Sequence, residues 1–167
     1  MKLVAGVLLL LLSSCGFHLR TWDLGVNLES VRVEAGQRSL LAAPLRRALN
    51  QSGVTEASEG ESQVVVELLD QRSNRRSVSV TDQARAAEYE TTLEVRFQVH
   101  DANGVQLIPP RWIRSERVFR VDRDNLVGNS EEQALIEQEM RDDLIQQILR
   151  SLNAITQTVP KTTADAG

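Results

Sequence analysis

The chain has 167 residues, room for one ordinary domain with a full core and short ends but not for two. Apolar residues at 41% and charged residues at 25% exclude a collagen-like, polytopic-membrane or wholly disordered chain. A net charge of -4 excludes recruitment of nucleic acid by a global basic excess. The cations are nevertheless skewed, since only Lys2 and Lys161 are lysine and the rest are arginine. Arginine is a planar fork suited to carboxylates and phosphates, although a GC-rich genome produces the same bias.

Met1 and Lys2 precede an apolar run, Leu3 to Leu12, that ends at Leu12-Ser13-Ser14-Cys15. This is a secretory signal, residues 1–14, too short to cross a bilayer as a helix. Cys15 is the only cysteine, so it has no intramolecular disulfide partner, and it stands where a bacterial lipobox places its lipidated residue. The plainer alternative is an ordinary signal followed by an incidental thiol. Two or more acyl chains on Cys15 would hold the mature chain stably on a membrane. Gly16 is not the aspartate that tends to retain lipoproteins in the inner membrane of enteric bacteria, so the expected destination is the outer membrane, facing the periplasm. Residues 15–27 form the lipidated amino-terminal segment.

A domain is expected over residues 28–153. Leu28 to Glu34 alternates as a strand and stops at Gly36. Ser39 opens a helix with Leu41, Leu45, Ala48 and Leu49 on one face and Gly53 as its stop; Pro44 restricts regular helix to begin near Ala42 or Ala43. Val64 to Leu69 is a β-rich run that Val78 and Val80 continue beyond Arg72, Arg75 and Arg76, and Asp82 to Ala86 reads as a turn. Tyr89, Thr91, Leu93, Val95, Phe97 and Val99 then alternate strictly with polar residues, which requires one buried and one wet face. Asp101-Ala102-Asn103-Gly104 supplies a tight turn. Pro109-Pro110 delays the returning strand to Trp112–Asp122, with Ile113, Phe119 and Val121 in one phase. Ser130-Glu131-Glu132-Gln133 has capping-box form, so the last helix should start at Ser130 and carry Ile136, Met140, Leu144, Ile148 and Leu152 at four-residue steps. Residues 154–167 are expected to be a flexible tail.

The order gives an α+β domain, with two helices packed on one face of a four-stranded, mostly antiparallel sheet. The other face carries Glu88, Glu90, Glu94, Arg96 and His100 and must meet water or a polar partner. Motifs for catalysis, metal or cofactor are missing: there is no phosphate loop, nucleophile elbow or H-E-x-x-H helix, and only His18 and His100 among histidines. No enzyme, no cofactor and no metal site is expected. From Arg72 to Arg123 ten arginines face seven acids, so a phosphorylated envelope lipid could be drawn to this stretch. A self-paired, solvated surface accounts for it equally well.

Cys15-Gly16-Phe17-His18-Leu19-Arg20, then Ala87-Glu88-Tyr89 opening the alternating strand, then Glu139-Met140-Arg141 in the last helix resemble, in that order, the LPS-assembly lipoprotein family LptE. The resemblance implies a lipid-anchored outer-membrane protein that plugs the β-barrel LptD, helps it fold and takes part in delivering lipopolysaccharide (LPS) to the outer leaflet. Its implied partners are that barrel, LPS and, through acylated Cys15, outer-membrane lipid. The chain departs from some members at Asp82-Gln83 and Gly128-Asn129, where they carry basic residues. Candidate LPS contacts are therefore the loose group Arg75, Arg76 and Arg85. The alternative function is a membrane-anchored auxiliary lipoprotein of another envelope lipid-transport system.

Overall fold

A computed structural model describes Leu24 and residues 28–58, 60–80, 86–121 and 126–158. The leader, Cys15, His18, Arg85 and the predicted turn before Ala86 lie outside these residues. The elements are β1 (Ser30–Ala35), α1 (Ala42–Gln51), β2 (Thr55–Glu56), β3 (Val64–Val80), β4 (Ala86–Asp101), β5 (Gln106–Arg120) and α2 (Leu126–Thr158). They form one sheet in the order β2-β1-β3-β4-β5. β1 runs parallel to β2 and β3, while β3, β4 and β5 are antiparallel neighbours. The domain is α+β as expected, with a fifth strand of two residues added at one edge.

Local chemistry explains these boundaries. Pro44 sits in the first turn of α1, where its missing N–H costs nothing, and helix begins at Ala42. The Ser39 hydroxyl accepts from the Ala42 N–H at 3.3 Å. Leu41, Leu45 and Leu49 face inward, and Gly53 turns the chain away at a φ of 80°. At the β4–β5 turn, Asp101 Oδ1 accepts from the N–H groups of Asn103 and Val105, both at 2.8 Å. Gly104, at a φ of 81°, completes the reversal.

Three boundaries differ from expectation, whereas β3 continues past its arginines to Val80 as expected, absorbing Leu69 as an extra residue between Leu68 and Asp70. β5 includes Pro109 and Pro110, because it is an edge strand and the prolines fall where its register against β4 shifts. α2 begins at Leu126, not Ser130, so Ser130 to Gln133 lies inside the helix. Gln133 there donates to Glu137 at 3.0 Å, one turn on, instead of closing a capping box. At its other end α2 continues through Thr158 and takes in the first residues assigned to the tail.

α1 and α2 cover the same sheet face. Leu24, Val31, Val33, Leu45, Val66, Phe97, Val99, Met140, Leu144 and Ile148 belong to a single apolar cluster beneath them. β1 ends level with Leu68 and Phe97, so the longer β3, β4 and β5 project well past it. α2 runs antiparallel to β5: Gln147 donates to the Arg114 carbonyl at 3.1 Å, and further along the strands Arg75 donates to Gln133 Oε1 at 3.2 Å. The molecule thus has a base, where β1 starts and α2 ends, and a distal end formed by three strand tips and the start of α2.

Candidate functional site: the charged sheet face

Strand alternation assigns the uncovered face to Arg72 and Arg76 of β3, Glu88, Glu90, Glu94 and Arg96 of β4, and Trp112, Arg114, Glu116 and Arg120 of β5. Ion pairs stitch the strands together across it. Arg76 meets Glu90 in a two-pronged contact, Nε to Oε1 at 2.5 Å and Nη2 to Oε2 at 3.0 Å. Arg120 meets Glu88 at 3.1 Å, and within β3 Arg72 meets Asp70 at 3.0 Å. Arg72 also stacks over Trp112, 4.3 Å from the ring centroid, bridging β3 to β5 above β4.

These contacts shape the electrostatics. The hydrogen bond from Arg76 holds the Glu90 carboxyl below the usual glutamate range, against the opposing effect of its burial. Arg120 does the same for Glu88, with help from a hydrogen bond to Ser79. The face is highly charged but largely self-neutralised.

The three candidate LPS contacts do not form one group. Arg75 and Arg76 are consecutive on a strand, so their side chains leave opposite faces, and Arg85 lies outside the described residues. Arg75 is on the helix side, with its guanidinium 4.0 Å from the Tyr89 ring centroid and 4.7 Å from that of Phe119. Those two rings stack with centroids 6.0 Å apart. Arg72 and Trp112 were not singled out as a pair by sequence, because contact across two strands requires the β3–β4–β5 register.

His100 Nδ1 lies 3.2 Å from the Asp101 carbonyl oxygen. Among the described residues no group of three His, Cys, Asp or Glu side chains could hold a metal ion. The arrangement suits a broad polar contact.

Comparison with known proteins agrees with this architecture. A family model described as LptE, lipopolysaccharide assembly, matches residues 28–152. The chain belongs to the LptE family. LPS-assembly lipoprotein LptE from Photorhabdus laumondii is 30% identical over 155 residues, covering 91% of this chain and 84% of that protein. Its counterpart from Pectobacterium atrosepticum is 30% identical over 162 residues, covering 92% and 84%. Among solved structures, lipoprotein B from Nitrosomonas europaea superposes with a TM-score of 0.71 at 25% identity, covering 85% of this chain and 93% of that one. Rare lipoprotein B from Shewanella oneidensis shares the fold, with a TM-score of 0.66 at 21% identity and 78% and 98% coverage.

Two of the three motifs that carried the LptE resemblance lie among the described residues, and both make structural contacts. Glu88 holds Arg120 across the strands, and Tyr89 receives Arg75 and stacks on Phe119. Met140 is fully buried under the sheet, and Arg141 approaches Glu137 one turn earlier at 3.9 Å. Among the described residues no helix is long and apolar enough to cross a membrane.

Proposed function

We propose that this LptE-family chain is a non-catalytic outer-membrane lipoprotein, acylated at Cys15, that plugs and helps assemble an LptD-type β-barrel and takes part in LPS delivery. The observation that carries this reading is the self-neutralised charge of the uncovered sheet face. Large membrane barrels have polar interiors. A plug enclosed by such a wall must not strand unpaired ions, and Arg76–Glu90, Arg120–Glu88 and Arg72–Asp70 enter already paired. The family relatives named LPS-assembly lipoproteins support the same conclusion.

Within this reading Arg75, Arg76 and Arg85 remain the candidate LPS contacts. Arg75 keeps its charge uncompensated among the described residues, held by Gln133 and two rings, whereas Arg76 is neutralised by Glu90. A tag placed beyond Thr158 and pulled down from outer membranes in mild detergent should recover a β-barrel partner. Depletion of the chain should reduce surface LPS. No recovered barrel would refute the plug, and lost phospholipid asymmetry with LPS intact would transfer the chain to another lipid-transport system.

A further inference from the structure

On the helix side of the sheet, between β5 and the last turns of α2, lies a groove of about 490 Å3, within the size range of small-ligand sites, about 300–1,000 Å3. Its floor is apolar: Ile108 is buried, and Ile113 and Ile155 are half-buried. Two guanidinium groups, Arg111 and Arg150, line it, and no carboxylate does. Arg111 is held in place, donating to Ser151 Oγ and lying 5.3 Å from the Phe97 ring centroid. Neither arginine makes an ion pair among the described residues. On a sheet whose other face pairs most of its charges, this is an uncompensated double cation above hydrocarbon. The complementary ligand is an anion that carries its own alkyl chain.

The groove's place in the fold narrows the ligand further. Ile108 pairs with Val99, which pairs with Val66, which pairs with Val33, so the groove opens level with β1 near the base. The chain from Cys15 enters at this same end, at Leu28. Leu24, one turn before Leu28, is already part of the core, and the stretch from Cys15 to Leu24 reaches at most about 30 Å, so a membrane holding Cys15 lies within range of the groove. We propose that the groove binds one anionic glycerophospholipid of that membrane, with its phosphate between Arg111 and Arg150 and one acyl chain along Ile108, Ile113 and Ile155. This rests on the reading that Cys15 is the membrane tether, and it is independent of the barrel.

The test uses the chain from residue 15 onward with Cys15→Ala, which retains every residue of the core cluster. It is titrated with water-soluble dihexanoylphosphatidylglycerol, dihexanoylphosphatidylcholine and inorganic phosphate, following backbone amide NMR shifts. Saturable shifts at Ile108, Arg111, Ser151 and Ile155 are expected with the anionic lipid, at least tenfold weaker with the zwitterionic lipid or with phosphate. Arg150→Gln, whose guanidinium makes no ion pair among the described residues, should weaken the anionic lipid at least tenfold, whereas Arg76→Gln on the opposite face should not. Equal binding of both lipids would overturn the role of charge. Phosphate binding as tightly as the lipid would overturn the role of the acyl chain. No saturable shift, or crosslinking of Arg150 to a barrel in cells, would overturn the site itself. Mass analysis of Cys15 in the native protein separately checks the tether, and barrel recovery by the Arg150→Gln variant separately checks the plug.

Discussion

The same three strands are held together by different physics at their two ends. Near the base, β3, β4 and β5 share the apolar cluster with β1, α1 and the second half of α2, and Leu93 is its outermost member on β4. Level with Leu93 the buried position on β5 is Ser115, beyond it the buried positions are Thr91, Glu90 and Phe119, and the strands are joined by Arg76–Glu90, Arg120–Glu88 and the Arg75–Tyr89–Phe119 stack. Burial is non-directional and is not weakened by charge screening, whereas ion pairs and ring contacts depend on geometry, salt and pH. Stability therefore resides at the base, and the distal end is the part whose cohesion depends on conditions.

Substitutions can break or sharpen this contrast. The largest effect is expected at the base. Phe97 is fully buried, and Phe97→Ala should cost about 3–5 kcal/mol in denaturant unfolding; a cost below about 1 kcal/mol would show the cluster to be loosely packed. At the distal end Arg75→Ala removes an exposed cation from two rings and should cost only about 1 kcal/mol. A loss as large as that of Phe97→Ala would erase the distinction between the ends.

Ser115 marks the border between them. Its hydroxyl is buried and makes no hydrogen bond among the described residues, so Ser115→Ala should leave stability unchanged or raise it by up to about 1 kcal/mol. A clear loss would reveal a hidden partner.

The smallest effect is on the shape of the pH dependence. The Glu90 carboxyl is held below its ordinary value by the Arg76 hydrogen bond, so the unfolded chain binds its proton more readily than the folded one. The resulting stability is present above the unfolded glutamate value, about 4.3, and is lost as pH falls through the lower folded value. Arg76→Gln should flatten the decline in unfolding midpoint below that pH and raise amide exchange at the strand tips more than at the base. An unchanged acid profile would show that the pair contributes nothing.

Much of the base was legible in the sequence, because burial writes a periodic pattern. Leu41, Leu45 and Leu49 announced α1, Pro44 located its start, strict alternation through Phe97 announced β4, and Asp101 to Gly104 announced the turn. The distal end was harder to read because its inward residues are polar. Ser73, Arg75 and Ser77 occupy the helix-side phase of β3, and only pairing with β4 shows that the alternation continues through them. Arg75 and Arg76 are neighbours in sequence, yet the same alternation sends them to opposite faces. α2 starts four residues before Ser130 because a capping-box sequence can also lie inside a continuous helix, where Gln133 pairs with Glu137 instead. Pro109-Pro110 suggested a delayed strand because the sequence does not show which strand lies at an edge.

The lengths of β3, β4 and β5, 17, 16 and 15 residues, have a consequence of scale. At about 3.3 Å per residue they span about 50 Å, more than the roughly 30 Å hydrocarbon thickness of a bilayer. Held at one leaflet, such a body is a molecular ruler: its far tip can stand level with the opposite leaflet although none of its described helices is long and apolar enough to cross a membrane.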